Sequence, residues 1–142
     1  MSPAVDVITV TGVPDNLVPL FIANGHRCDD ISPNLLAAQV KQESGFNPNA
    51  GSNKGAKGLA QFIDKTWSKV GHGSPYDPVE AIKAQAKYDC ELANDVRHFG
   101  GDTQALMLGA YNAGPSAVAK YRGIPQYSET IAYVRSIKAM MA

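Results

Sequence analysis

The chain has 142 residues, 44% of them hydrophobic and 18% charged, which fits one globular domain with a real core and excludes a disordered chain. Its 13 Lys and Arg balance 13 Asp and Glu, so no broad positive field draws nucleic acid or an anionic membrane. No apolar run approaches the roughly 18–20 residues of a membrane span, and Met1-Ser2-Pro3-Ala4-Val5-Asp6 has neither the basic nor the apolar region of a signal peptide.

Residues 1–13 read as a loosely held lead-in, where Val7-Ile8-Thr9-Val10 alternates as a brief strand or a packed arm would. Pro14-Asp15-Asn16 opens a first helix that runs to His26, with Leu17, Leu20, Phe21 and Asn24 at helical spacing. Ser32-Pro33 pairs a capping serine with proline at the first helical position, and a second helix starts there. On it Leu36, Val40 and Glu43 stand at i, i+4 and i+7, so the Glu43 carboxylate shares a face with core-seeking neighbours. Gly45 and Asn47-Pro48-Asn49 then stop the helix. Glu43 is thereby placed where the chain leaves the interior and a cleft can open. Burial at such a place raises a carboxyl pKa, because desolvation penalises the charged form, and a protonated acid near neutrality suits general-acid chemistry. The plain alternative is a glutamate in solvent at a helix end.

Asn47 to Gly58 reads as a loop by its turn residues, without the GxxxxGK[ST] or strand–GxGxxG–helix context of a phosphate cradle. Gly58-Leu59-Ala60-Gln61-Phe62 returns to order, and Asp64 is expected to cap a short helix carrying Trp67 and Val70. Gly71-His72-Gly73-Ser74-Pro75 breaks it. Asp77-Pro78 opens the longest helix, whose apolar face is read as Val79, Ile82, Ala86, Cys90, Ala93 and Val96, ending at Gly100-Gly101. Asp102-Thr103 opens another, which delivers Tyr111-Asn112-Ala113-Gly114, and Pro115 begins a short helix through Tyr121. After Gly123-Ile124-Pro125 a last helix carries Tyr127, Ile131, Val134, Ile137 and Met141. With no repeat or interdomain linker, the pattern predicts one compact, nearly all-α domain, its arm and first helix (1–31) packed on a core of 32–142.

Cys28 and Cys90 form no zinc spacing; they are either buried free thiols or a disulfide tying the first helical region to the long helix. His26, His72 and His98 are scattered, with no HExxH pair, so neither a metal nor a cofactor is expected. Ser44 lacks a GxSxG elbow and is expected to hydrogen-bond near the Glu43 carboxylate instead of acting as a nucleophile.

Four segments in order, Glu43-Ser44-Gly45-Phe46, Gly58-Leu59-Ala60-Gln61-Phe62, Ala110-Tyr111-Asn112-Ala113-Gly114 and Tyr127-Ser128-Glu129-Thr130-Ile131-Ala132-Tyr133-Val134, carry a resemblance. The chain resembles the catalytic domain of the soluble lytic transglycosylases, in the lysozyme-like superfamily that also holds goose-type lysozyme, over about residues 32 to 138. The resemblance implies a lysozyme-like, mainly helical α+β fold with a catalytic cleft, and Glu43 as the single catalytic acid and base. It places Ser44, Gln61, Phe62, Tyr111, Asn112, Glu129 and Tyr133 at the saccharide. Ala60 stands where the family often has methionine, which trims an apolar contact without removing chemistry. Tyr111 and Tyr133 as plain core aromatics, and Glu129-Thr130 as a solvated helix turn, are the structural alternatives.

Breaking a glycosidic bond takes an acid for the leaving oxygen and a group that stabilises the oxocarbenium-like centre. The loop from Asn47 to Lys57 holds no acid that would serve as a second carboxylate. The resemblance therefore implies a substrate-assisted route, in which the N-acetyl group is the internal nucleophile and Glu43 returns as base to form a 1,6-anhydromuramic end. The implied substrate is the MurNAc–GlcNAc β-1,4 bond of peptidoglycan glycan strands. The implied protein is an extracytoplasmic monomer, or part of a larger phage, secretion or cell-wall protein. Two rivals share the pattern: a hydrolytic muramidase, with Asp64 or Asp77 as the opposing carboxylate, and a catalytically silent glycan-binding module.

Overall fold

Seven α-helices follow one another in a computed structural model that describes residues 7–142: α1 (Val18–Asn24), α2 (Pro33–Ser44), α3 (Asp64–Val70), α4 (Pro78–Val96), α5 (Thr103–Ala113), α6 (Pro115–Tyr121) and α7 (Ser128–Met141). A 3₁₀ turn, Arg97–Phe99, extends α4. Among the described residues there is no β-strand, only isolated bridges joining Lys57 to Gly51 and to Phe62. The all-α expectation holds. Residues 1–6, the start of the expected lead-in, lie outside the described residues.

Local chemistry starts most of these helices where expected. The Ser32 hydroxyl accepts from the Leu35 N–H, the Asp77 carboxylate from Val79 and the Asp102 carboxylate from Ala105, each at 3.0 Å. Pro33, Pro78 and Pro115 occupy first-turn positions, where a missing N–H costs nothing. Gly45 closes α2 in the left-handed region at φ 61°, its N–H bonded to Lys41 O.

Four local expectations change. The first helix begins at Val18 and ends at Asn24, because Pro14–Leu17 forms a turn (Leu17 N to Pro14 O, 3.0 Å) and Pro19 sits in the first helical turn. Asp64 does not cap α3; its carboxylate pairs with Lys57 Nζ at 2.9 Å instead. Of the two open readings of Val7–Val10, the packed arm holds and the strand does not: Thr9 and Val10 donate to Asn34 Oδ1 at 2.8 and 3.2 Å. On α4, Ile82, Ala86, Ala93 and Val96 are buried as expected, but Val79 is 48% exposed, and Gln85, Asp89 and Leu92 complete the buried seam with Ile82 and Val96. Tyr127 likewise is exposed and packs edge-on against Tyr121, at 5.5 Å between ring centroids.

One core joins Phe21 of α1, Leu36 and Val40 of α2, Ile82 and Leu92 of α4, Leu108 of α5 and Ile137 of α7. A smaller cluster of Ala60, Phe62, Trp67, Val70 and Ala84 packs beside it, with Trp67 Nε1 donating to Gly73 O at 3.0 Å. Cys28 and Cys90 are joined in a disulfide, Cα–Cα 6.0 Å, which ties the connection between α1 and α2 to α4. That decides between the two cysteine alternatives.

Gly58 anchors the return of the loop at 47–58. It adopts φ +79°, and a Cβ there would run into the Pro75 carbonyl, which is backbone and cannot rotate away. Gly58→Ala is therefore expected to cost about 2–4 kcal/mol from left-handed strain plus overlap, read as a lowered urea midpoint with an unchanged slope.

Candidate active site

The last turn of α2, the loop at 47–62, α4 and the end of α5 enclose a cleft of about 430 Å³, with Glu43, Gln61, Phe62, Tyr88, Tyr111 and Asn112 in its wall. Among the described residues lining it, Glu43 is the one carboxylate. Asp64 and Asp77, the positions considered for an opposing acid, do not line it. One is held by Lys57 and the other caps α4.

Glu43 Oε2 accepts from the Tyr133 hydroxyl at 2.7 Å. Its pKa is raised from 4.5 to about 7. Burial is the main cause; the Tyr133 hydrogen bond opposes it, and the negative charge of Glu129 adds to it. A carboxyl with that pKa exists in both protonation states near neutrality, the condition for giving a proton and taking one back. Burial also raises the phenols of Tyr111 and Tyr133 well above 10.0, so both stay O–H donors.

The structure gathers most of the expected residues around this acid. Phe62 is largely buried within the cleft wall, its ring centroid 6.0 Å from that of Tyr111. Tyr111 donates to Ala60 O at 2.8 Å, which fixes the ring against the strand-like return of the loop. Asn112 lines the cleft while its Oδ1 accepts from Thr130 Oγ1 at 2.8 Å. Gln61 holds φ 54°, a strained region for a residue with a side chain, and its Nε2 donates to Gly58 O and Ala50 O at 2.9 and 3.3 Å. Two expectations differ. Ser44 Oγ donates to Val40 O at 3.2 Å, because a serine in the last helical turn finds the i−4 carbonyl first; it makes no bond to Glu43. Glu129 is exposed and outside the cleft wall, acting on Glu43 through its charge alone.

Tyr88 lines the cleft, and a buried polar group, Gln39, Gln85 and Asp89, lies behind Glu43, outside the cleft wall and linked to it through Tyr133; none of the four was assigned a role from the sequence. The Tyr88 ring lies 5.4 Å from Tyr111 and 6.0 Å from Phe62, centroid to centroid. The available signal was spacing: residues 82, 85, 89, 92 and 96 alternate by three and four, the seam of a packed helix, with two polar members. Among the described residues no group of three or more His, Cys, Asp and Glu is placed to hold a metal ion.

Tyr133→Phe tests the electrostatic account. Without the hydrogen bond that favours its charged form, Glu43 holds its proton to higher pH. The alkaline limb of any rate that needs protonated Glu43 is expected to move upward by about one pH unit, measured as a pH–rate profile. An unmoved limb would remove Tyr133 from control of this acid.

The model of the transglycosylase SLT domain matches residues 21–134. A curated relative, the membrane-bound lytic murein transglycosylase F of Shewanella sediminis, is 33% identical over 115 residues, covering 79% of this chain but 24% of that protein. The crystal structure of the 70 kDa soluble lytic transglycosylase from Escherichia coli superposes with a TM-score of 0.72 at 27% identity, covering 87% of this chain and 23% of that one. The complex of the 70-kDa soluble lytic transglycosylase with bulgecin A gives 0.67 at 28% identity, with the same coverage of 87% and 23%. The chain thus spans about a quarter of the length of the relatives it matches. No helix among the described residues is long and apolar enough to cross a membrane.

Proposed function

The chain belongs to the family of transglycosylase SLT domains, and from that premise we propose that it cleaves the MurNAc–GlcNAc β-1,4 bond of peptidoglycan as a lytic transglycosylase, with Glu43 as its single acid and base. The observation that carries the reading is the desolvated Glu43 carboxyl, solitary in the cleft wall among the described residues, its pKa raised to about 7.

In this mechanism protonated Glu43 gives its proton to the glycosidic oxygen as the bond from the MurNAc C1 breaks. The carbonyl oxygen of the sugar's own N-acetyl group closes on C1 and takes the place of a second carboxylate, which the cleft wall lacks among the described residues. Glu43, now ionised, removes the proton of the C6 hydroxyl. O6 attacks C1, displaces the acetamido oxygen and leaves a 1,6-anhydroMurNAc end. Tyr133 donates to Oε2 throughout, which steadies the carboxylate between the two steps and leaves Oε1 to work. Phe62, Tyr111 and Asn112 are assigned to the walls that hold the sugar rings. Gln61 braces the loop against the cleft, and Ser44 and Glu129 act from outside it.

Glu43, Tyr133 and the residues of the cleft wall all come from one chain, which supports action as a monomer or as one domain of a larger cell-wall, secretion or phage protein. The Cys28–Cys90 disulfide supports an oxidising, extracytoplasmic location. Mass spectrometry of fragments released from purified peptidoglycan tests the reading. Muropeptides lighter by one water than reducing ends, absent with Glu43→Gln, are expected. Ordinary reducing ends would make the domain a muramidase, and tight binding without any product would make it a glycan-binding module.

A further inference from the structure

Behind Glu43 lies a second acid that the reaction above does not use. Asp89 is fully buried, as are Gln39 and Gln85. Together they form a chain of hydrogen bonds between α2 and α4 that ends on Glu43, and its direction is set at a backbone carbonyl. Leu36 O can only accept, so Gln85 turns Nε2 toward it, at 3.2 Å, and the same nitrogen donates to Gln39 Oε1 at 2.9 Å. Gln39 Nε2 therefore faces the other way and donates to Asp89 Oδ1 and to the Tyr133 hydroxyl, each at 3.2 Å. With its oxygen already accepting that N–H, Tyr133 directs its own hydrogen to Glu43 Oε2 at 2.7 Å.

All four amide hydrogens of Gln39 and Gln85 are used in this chain, and so is the Tyr133 hydrogen. Two buried oxygens receive no donor from the described residues, Gln85 Oε1 and Asp89 Oδ2. They belong to neighbours four apart on one face of α4. A carboxylic hydrogen on Asp89 is the donor that these side chains can themselves supply. We propose that Asp89 is a neutral carboxylic acid in the folded protein, that its Oδ2–H donates to Gln85 Oε1, and that it is a positioning residue: it holds Gln39 and Tyr133 so that Tyr133 always donates to Glu43.

The electrostatics agree. Burial pushes the Asp89 carboxyl well above its usual range; the Gln39 N–H opposes this and the Glu43 charge adds to it. Around Asp89 stand Glu43 from α2, Tyr111 from α5, Tyr133 from α7 reached through Gln39, and Tyr88 on α4 itself. Burial raises all three phenols, so none brings a charge at neutral pH. Glu43 ionises near 7 and its charge keeps the proton on Asp89, which avoids two buried carboxylates side by side.

The inference rests on Glu43 being the acid of the proposed reaction, but its first test does not. In the intact chain labelled with ¹³C at aspartate carboxyls, the signal that Asp89→Asn removes is expected at the protonated position at pH 7. An ionised signal, the result if a water bridges the two oxygens instead, would overturn the proposal. The second test is kinetic. Asp89→Asn offers an N–H to Gln85 and a carbonyl to Gln39, so kcat is expected within about threefold of the parent. Asp89→Leu frees Gln39, and kcat is expected to fall about tenfold at unchanged KM, with the alkaline limb moved upward. A folded Leu variant with the parent's kcat and pH profile, or an Asn variant as inactive as Glu43→Gln, would overturn it. If the parent itself releases nothing from peptidoglycan, the proposed reaction fails and the carboxyl signal still decides the state of Asp89.

Discussion

Glu43→Gln is expected to lower fragment release from peptidoglycan by about 10²–10⁴-fold, the range that a positioned general acid contributes, while making the folded chain more stable. Both effects have one cause. The carboxyl that burial raises from 4.5 to about 7 keeps a proton that the unfolded chain releases. Its stabilising protonation is therefore complete below about pH 4.5 and is lost as the pH climbs through 7. At pH 8 the loss amounts to about 3 kcal/mol, an order-of-magnitude conversion of the shift. Glutamine does not titrate and accepts the Tyr133 hydrogen equally well. The variant and the parent are expected to unfold together at pH 4 and to separate at pH 8, with the variant more stable. Denaturant unfolding at the two pH values measures it. A variant less stable than the parent at pH 8 would mean that Glu43 is not desolvated, and the account of its acidity would fall with it.

The disulfide carries the second large effect. Cys28 and Cys90 are 62 residues apart, and in the chain-entropy model closing such a loop stabilises the fold by about 4 kcal/mol. Replacing both by serine is expected to lower the melting temperature by roughly 10–15 °C for a domain of this size. A reductant is expected to do the same to the parent and nothing further to the double variant. Calorimetry with and without reductant provides the check. A parent whose melting is indifferent to reductant would show that the cross-link adds no stability. Because α4 carries Tyr88, Gln85 and Asp89, activity in reductant is expected to vanish at the temperature where the fold is lost and to persist below it.

Much of this molecule is decided by short-range chemistry and is legible in the chain. Ser32-Pro33, Asp77-Pro78 and Asp102-Thr103 start helices because a side-chain oxygen two or three residues away satisfies an N–H that the helix leaves open. The spacing of Leu36, Val40 and Glu43 turns one carboxylate toward the core, and Gly45 ends the helix beside it. The order of the Glu-Ser, Gly-Leu-Ala-Gln and Ala-Tyr-Asn-Ala-Gly segments carried the family resemblance. Short-range rules also mislead where partners compete. Asp64 prefers Lys57 to the end of α3, and Ser44 prefers the Val40 carbonyl to its acidic neighbour.

What stood beyond the sequence was every property set by one helix facing another. Gln39, Gln85 and Asp89 drew no assignment, since a buried polar group is tolerated only when its partners arrive from elsewhere, and here they arrive across the contact of α2 with α4 and α7. The pairing of Cys28 with Cys90 needed a distance that no spacing encodes. The chain alone determined that an acid ends a core helix ahead of a glycine-rich loop. Only the tertiary structure decided that this acid is, among the described residues, the lone carboxylate of its cleft wall, with Tyr133 on one oxygen and a pKa near 7, because desolvation is the work of neighbours distant in sequence.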